Sequence, residues 1–279
     1  MGGASGPREA RISGLRRLAP ALAGLALIAA APAAANASAW NFKKGEDQLI
    51  LTQLYDYADR SFDPDGDAVY PVDFEKHELS LFGEYGLTDT LTAVTRLALQ
   101  DVYLEIESGR DTARGLAASE VGLRHALWRN DQTVVSAQAT VILPGAGENV
   151  TDIFFGEGET DYEARLLAGH SFKWRGRDGF IDAQAGYRWR GGDFGNEQRL
   201  DLTLGYKVTD RLTAMGQGFF LASDKSKGLN RDYMSARGQL SAVYWLTDRR
   251  AVQLGGLATL AGENIIRERA IFAAYWIRF

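Results

Sequence analysis

The chain has 279 residues, 46% hydrophobic and 24% charged, a balance that excludes a disordered polymer and suits one large β-domain or two small ones. Cysteine is absent, which removes a disulfide framework, a thiolate nucleophile and cysteine-ligated zinc. Residues 1–39 carry four arginines and one glutamate, so the net charge of −5 becomes −8 without them, and nucleic acid is not an expected partner.

The first 39 residues read as an export signal. A basic stretch ends at Arg16-Arg17, an apolar run follows from Leu18 to Ala31, and small residues then offer A-x-A sites ending at Ala37 or Ala39. Cleavage there would leave a mature domain over residues 40–279, beginning near Ser38 or Trp40. Beyond the leader no run of 18 apolar residues occurs, which excludes a bundle of transmembrane helices.

In chain order, twelve strand-like stretches centre near Thr52, Leu81, Thr95, Val121, Ala139, Leu166, Ala185, Leu202, Gln217, Gln239, Leu257 and Ala273. Each alternates apolar with polar residues, as in Val135, Ala137, Ala139 and Val141 against Ser136, Gln138 and Thr140. Successive side chains on a strand face opposite ways, so each stretch has one apolar and one polar face. The apolar faces are rich in Ala, Leu, Gly and Val with aromatics near the ends, while the polar faces place Arg and Glu at mid-strand. A lipid-facing exterior around a wet lumen demands that pattern. In the first stretch the facing is open, because Leu49/Leu51 and Ile50/Leu54 are both apolar.

The connections sort by length. Short polar turns sit at 86–89, 128–132, 174–179, 207–211 and 246–249; longer links lie at 60–73, 105–114, 144–160, 191–196 and 223–231, and only the last link on that side, near 262–264, is short. Short periplasmic turns and longer extracellular loops are the mark of an antiparallel transmembrane β-barrel, and an even strand number agrees with it. The fold expected is therefore an all-β barrel of about 12 strands in the outer membrane of a Gram-negative bacterium.

The end of the chain adds a second signal. Ile271, Ala273, Tyr275, Ile277 and Phe279 share one face, and a terminal aromatic above alternating apolar residues resembles the insertion signal of bacterial outer-membrane proteins. Tyr275, Ile277 and Phe279 are the residues that would carry it to the barrel-assembly machinery. Three turns repeat an aromatic followed by Thr-Asp: Tyr85 with Thr88-Asp89, Tyr206 with Thr209-Asp210, and Tyr244 with Thr247-Asp248. Short polar side chains there can bond local backbone and fix a tight turn.

The Tyr85-Gly86-Leu87-Thr88-Asp89 turn, the Tyr275-Trp276-Ile277-Arg278-Phe279 ending and the leader together resemble the meta-pathway phenol-degradation-like family of proposed outer-membrane transporters. The resemblance implies a barrel and suggests transport of small compounds, aromatic ones among them. It supplies no catalytic or binding motif that maps onto single residues.

Taking Phe279 as outward, the charged residues expected in the lumen are Glu84, Arg96, Glu120, Arg124, Glu163, Arg165, Asp182, Arg188, Arg199, Asp201, Arg237 and Glu268. Both signs recur within single strands, so they either pair across a wet pore that sets selectivity or knit a lumen shut. Phe82, Phe219, Trp245, Phe272 and Trp276 are also expected inside, as a greasy path or as packing. The function expected is a passive channel for small solutes. A closed structural or adhesion barrel and an outer-membrane hydrolase are the alternatives.

An enzyme needs a base beside a nucleophile. His77, His125 and His170 are expected to face outward; two residues on from each stands Leu79, Leu127 or Phe172, and the adjacent Ser171 faces away from His170. No catalytic constellation, cofactor or metal is expected. The acidic turn Asp63-Pro64-Asp65-Gly66-Asp67 lacks EF-hand spacing and is expected to be solvated. Outer-membrane lipid and lipopolysaccharide are the expected surroundings; Glu157, Glu159 and Asp161 are placed in the third long loop, where they could bridge lipopolysaccharide through cations or simply form a common acidic loop.

Overall fold

The structure is a computed structural model that describes residues 38–106, 109–149, 159–226 and 231–279. Residues 1–37, which hold most of the expected export signal, lie outside the described residues, as does Glu157. Fourteen strands follow one another: β1 (Asp47–Ser61), β2 (Tyr70–Gly86), β3 (Leu91–Ile106), β4 (Gly109–Leu116), β5 (Ser119–Arg129), β6 (Thr133–Leu143), β7 (Ala146–Asn149), β8 (Asp161–Trp174), β9 (Arg177–Trp189), β10 (Glu197–Lys207), β11 (Leu212–Ser223), β12 (Met234–Thr247), β13 (Arg250–Glu263) and β14 (Arg269–Arg278). Every pairing is antiparallel, and β1 closes the ring on β14 from Gln48↔Arg278 to Tyr57↔Arg269.

The ring has twelve positions, because two of them are each built from two strands. Leu91–Arg96 of β3 pairs with β5, while Leu99–Ile106 pairs with β4; β7 in turn pairs with β4 just beyond the end of β6. Each of the twelve expected centres falls in a strand. The links at 105–114 and 144–160 differ from expectation. The first is the end of a β3–β4 ribbon, and the second contains β7. There the outward face is charged, at Asp101, Glu105, Arg110 and Arg114, while the apolar residues Val102, Leu104 and Ala113 turn inward, so the lipid-facing pattern of the other strands is lost.

The outward face carries an apolar belt. Leu240, Leu254 and Ile271 are 75%, 64% and 64% exposed, which in water would cost several kcal/mol between them and in hydrocarbon costs nothing. Rings border the belt. Tyr85, Trp128, Trp174, Tyr206 and Tyr244 stand at the short-turn end, and Tyr57, Tyr162 and Trp189 at the long-loop end. His77, His125 and His170 all face outward. In β1, Ile50 and Leu54 point inward and are buried while Leu49 and Leu51 point out, which fixes the facing that alternation left open.

Three turns use one device. Thr88 Oγ1 accepts from the Thr90 and Leu91 amides, Thr209 Oγ1 from Arg211 and Leu212, and Thr247 Oγ1 from Arg249. The threonine does the local capping in all three. Asp89 is used differently, its Oδ1 accepting from the Lys44 amide. In the β8–β9 turn Arg175 and Gly176 both have positive φ, 50° and 77°, the conformation of a two-residue hairpin that matches strand twist.

Candidate functional site: the lumen and its N-terminal strap

All twelve charged residues expected in the lumen point into it, and the structure gathers them into groups. On β2, β3 and β5, Arg96 Nη2 lies 2.5 Å from Glu78 Oε1 and Arg96 Nη1 3.8 Å from Glu120. Across β8, β9 and β10 runs a ladder: Arg165 bridges Glu163 and Asp201, Arg199 bridges Glu197 and Glu163, and Arg188 Nη2 lies 2.5 Å from Asp161. Arg190 joins Asp161 at 2.9 Å to Glu197 at 2.7 Å, and the Tyr233 hydroxyl donates to Glu197 at 2.7 Å. A smaller island lies on β1, β2, β12 and the segment before β14. There Lys76 Nζ is 3.3 Å from Asp56, and Arg237 Nη1 is 3.5 Å from Glu268.

Asp161 is a correction. Expected in a loop over lipopolysaccharide, it is instead buried in the lumen beneath Arg188 and Arg190, because β8 begins at this residue. Asp63 caps its own turn, its carboxylate accepting from the Asp65 and Asp67 amides at 2.9 and 2.8 Å.

A segment the sequence reading passed over enters the lumen. Residues 38–44 precede β1 and turn back into the barrel at the short-turn end as a strap. The Ala39 amide donates to Asp182 Oδ2 at 2.6 Å, and the Ala39 carbonyl accepts from Ser136 Oγ at 2.6 Å. Arg124 Nη2 donates to the Trp40 carbonyl at 3.0 Å and to Glu84 Oε1 at 2.5 Å; the Asn41 amide donates back to the Arg124 carbonyl at 2.9 Å. Thr92 Oγ1 accepts from the Phe42 amide at 3.2 Å. The strap is thus tied to β3, β5, β6 and β9, and through Arg124 to Glu84 of β2. Two glycines make room for it. A Cβ on Gly169 would stand 2.6 Å from the Trp40 ring, and one on Gly86 2.0 Å from the Lys43 carbonyl.

Across the lumen from the strap the wall is apolar. Leu54, Phe219, Leu257, Ala270 and Phe272 pack together at mid-height, and Ile50, Phe82, Met215, Val243 and Trp276 form a second group toward the short-turn end. Between this wall and the strap lies a cavity of about 860 Å³. Its rim includes turn residues Asp131, Lys173, Asp178 and Lys207. Above it the inward side chains, among them Lys76, Glu78, Gln184 and Gln239, are almost wholly buried against one another. The five aromatics expected inside occupy the wall, and Trp276 Nε1 donates to Gln253 at 3.1 Å.

Comparison with known proteins places this architecture. Residues 59–279 match the model of the family described as "Putative MetA-pathway of phenol degradation". The chain belongs to this family. Among solved structures it is similar to an outer-membrane channel from Pseudomonas putida F1, with 15% identity, a TM-score of 0.66, and coverage of 86% of this chain and 97% of that one. It is also similar to the translocator domain of the autotransporter NalP from Neisseria meningitidis (11% identity, TM-score 0.53, 85% and 90% covered) and to the NanC porin (12%, 0.52, 82% and 98%). No curated protein matches by sequence. These likenesses show the fold of an outer-membrane barrel, and the family member is an all-β, twelve-position example of it. The three similar structures are named as a channel, a translocator domain and a porin.

Tyr275, Ile277 and Phe279 lie on the outward face of β14 and at its end, as alternation from Ile271 requires. The residues that sequence reasoning missed in the lumen are Asp56, Lys76, Glu78, Arg190, Glu197 and Tyr233, together with the strap. Lys76 and Glu78 alternate with Glu75 and His77, so no apolar face marked which side was inside.

Proposed function

We propose that this protein is a passive channel for small solutes in the outer membrane of a Gram-negative bacterium, reached by export and cleavage of the leader. The strap and the short turns face the periplasm in this reading, and the long-loop end meets lipopolysaccharide. The observation that carries the proposal is the cavity beneath the strap, set at the base of a lumen lined by balanced charge. A solute moving along such a lumen exchanges water for paired side chains that can open and reclose, so the protein selects for small polar or weakly charged molecules. The channel line of its named neighbours supports the reading, and the relatives' own solutes stay with them.

Twelve strands lie between barrels filled by side chains and wide porins. The burial of Lys76, Glu78, Gln184 and Gln239 therefore supports a narrow path. It also favours a second reading, a closed structural barrel. Planar-bilayer recording separates the two. Small stable conductance steps are expected from the intact protein, and several-fold larger steps from a form lacking residues 38–44. A folded barrel silent in both forms would overturn the channel and leave the structural reading.

Assembly is proposed to follow the terminal strand. Tyr275, Ile277 and Phe279 present alternating apolar groups to the barrel-assembly machinery. Phe279→Ser is expected to reduce the amount inserted in cells while the purified chain still refolds in detergent. Unchanged insertion would remove the terminal aromatic from the signal.

A further inference from the structure

We infer that the cavity under the strap is a binding site for a small aromatic monocarboxylate, with Arg278 as the group that recognises its anionic end. A volume of about 860 Å³ falls within the range of sites that enclose an organic molecule. Its walls are rich in rings. Trp40 of the strap stands edge-on to Phe180 of β9 at 6.0 Å, and Trp245 of β12 edge-on to Trp276 of β14 at 6.3 Å. Flat apolar bodies fit such walls by stacking and edge contacts.

Charge sets Arg278 apart. Among the described residues, Lys76 and the other inward arginines each have a carboxylate within 4.0 Å. The two lysines on the rim share Asp178. Arg278 has no such partner among the described residues. Its Nε donates to the amide oxygen of Gln48 at 2.8 Å, and its guanidinium lies 4.6 Å from the centre of the Trp245 ring. Glu84, which lines the same cavity, reaches Arg278 only by its charge from beyond 4.0 Å and is held by Arg124 at 2.5 Å.

That arrangement pre-positions a planar donor. Gln48 fixes one side of the guanidinium and Trp245 fixes its plane, leaving Nη1 and Nη2 as a fork at the cavity wall. A fork of this kind suits a carboxylate, which accepts two parallel hydrogen bonds. A neutral ring compound would leave the guanidinium unpaired, and a small hydrated anion would gain nothing from the rings. The strap side limits the ligand to one charge. Among the described residues Asp182, which lines the cavity, has the Ala39 amide and the Gln184 side chain as its donors and no cation within 4.0 Å, so a second anionic group placed near it is repelled.

The inference deepens the channel reading by naming a class of molecule that would lodge at the periplasmic end, and it is measured without conduction. Calorimetric titration of the protein purified from outer membranes in detergent, with 1-naphthoate as probe and empty micelles subtracted, is expected to show saturable one-to-one binding. The neutral analogue 1-naphthalenemethanol and the dianion naphthalene-1,4-dicarboxylate are each expected to bind at least tenfold more weakly. Arg278→Gln is expected to weaken 1-naphthoate at least tenfold, with Arg278→Lys between the two and folding checked by heat-modified gel mobility. Absence of 1-naphthoate binding, equal binding of the alcohol to the wild type, or an unaffected and folded Arg278→Gln would each overturn the assignment. The analogue comparison needs no variant, so it decides even if Arg278→Gln fails to fold. Bilayer recording keeps the two readings apart. A silent barrel that binds 1-naphthoate loses the channel and keeps the site, while a conducting barrel that ignores it does the reverse.

Discussion

Two walls of the lumen share the same alternation and differ in what they point inward. From β8 to β10 the inward positions are Asp161, Glu163, Arg165, Arg188, Arg199 and Asp201, whose charges pair from strand to strand. From β11 through β14 to β1 the mid-height positions are Phe219, Leu257, Ala270, Phe272 and Leu54. Lipid sees no difference, since both walls show it leucines. The strap binds the polar side, reaching Arg124, Ser136 and Asp182, and leaves the apolar side to line the cavity. Barrel closure thus constrains the outer face, while the inner face is free to divide into a wall that holds the chain's own N-terminal segment and a wall that remains open to a guest.

The largest effect is expected where both roles meet. Arg124 is inaccessible to solvent, pairs with Glu84 and donates to the strap at Trp40. Arg124→Ala leaves a buried carboxylate without its counter-charge, a change that costs about 3–5 kcal/mol when the partner cannot relax. Urea unfolding in detergent checks this, and bilayer recording is expected to show the larger steps of the strapless form. Unaltered stability would mean that water reaches Glu84 freely and that the strap is not seated as described.

Selectivity tests the difference between the walls more finely. Arg188 sits in the ladder, where Arg190 also holds Asp161. Arg237 sits in the island with Glu268 and Lys76. Replacing either with Gln adds unpaired negative charge to the lumen and is expected to move the reversal potential in a salt gradient toward cations. The shift is expected to be larger for Arg237→Gln, because Arg190 stands 2.9 Å from Asp161 and can take up the freed carboxylate, while Lys76, the other cation near Glu268, is 3.9 Å away. Equal shifts would mean that ions sense the lumen only as a sum of charge.

The sequence exposes whatever lipid forces into alternation. Twelve strands, the inward facing of Arg96, Arg165 or Asp201 and the outward facing of three histidines all follow from one apolar face repeating every second residue. Above the belt that constraint ends. Lys76 and Glu78 lie inward and Glu75 and His77 outward, with both faces polar, so no pattern distinguished them. The β3–β4 ribbon reads as a loop for a different reason: its outward face is charged, at Asp101, Glu105, Arg110 and Arg114, and its apolar face, at Val102, Leu104 and Ala113, turns inward. The strap has no periodicity at all; its place depends on Gly169, Gly86 and Ser136, which are remote in sequence and carry no motif. Alternation from an outward Phe279 puts Arg278 inward, but its lack of a carboxylate is a fact of three-dimensional neighbours.

A rim pair supplies the control for burial. Lys207 Nζ lies 3.0 Å from Asp178 in solvent, and that hydrogen bond, with the charge of Lys207 and of Lys173 beyond it, holds the Asp178 carboxyl below its ordinary range. A carboxyl depressed in the folded state stabilises the fold above the unfolded carboxylate range, near pH 4, and that contribution is lost as pH falls through the folded value. Lys207→Gln is therefore expected to return the Asp178 titration toward the ordinary value, seen by carboxyl-carbon NMR. Its small deficit in stability at neutral pH should vanish once both proteins are protonated in acid. Exposed pairs are worth little because water competes for both partners, so this deficit should be far below that of Arg124→Ala. If the two were alike, burial would not be what makes the luminal pairs strong, and the contrast between a charged wall and an apolar one would lose its energetic basis.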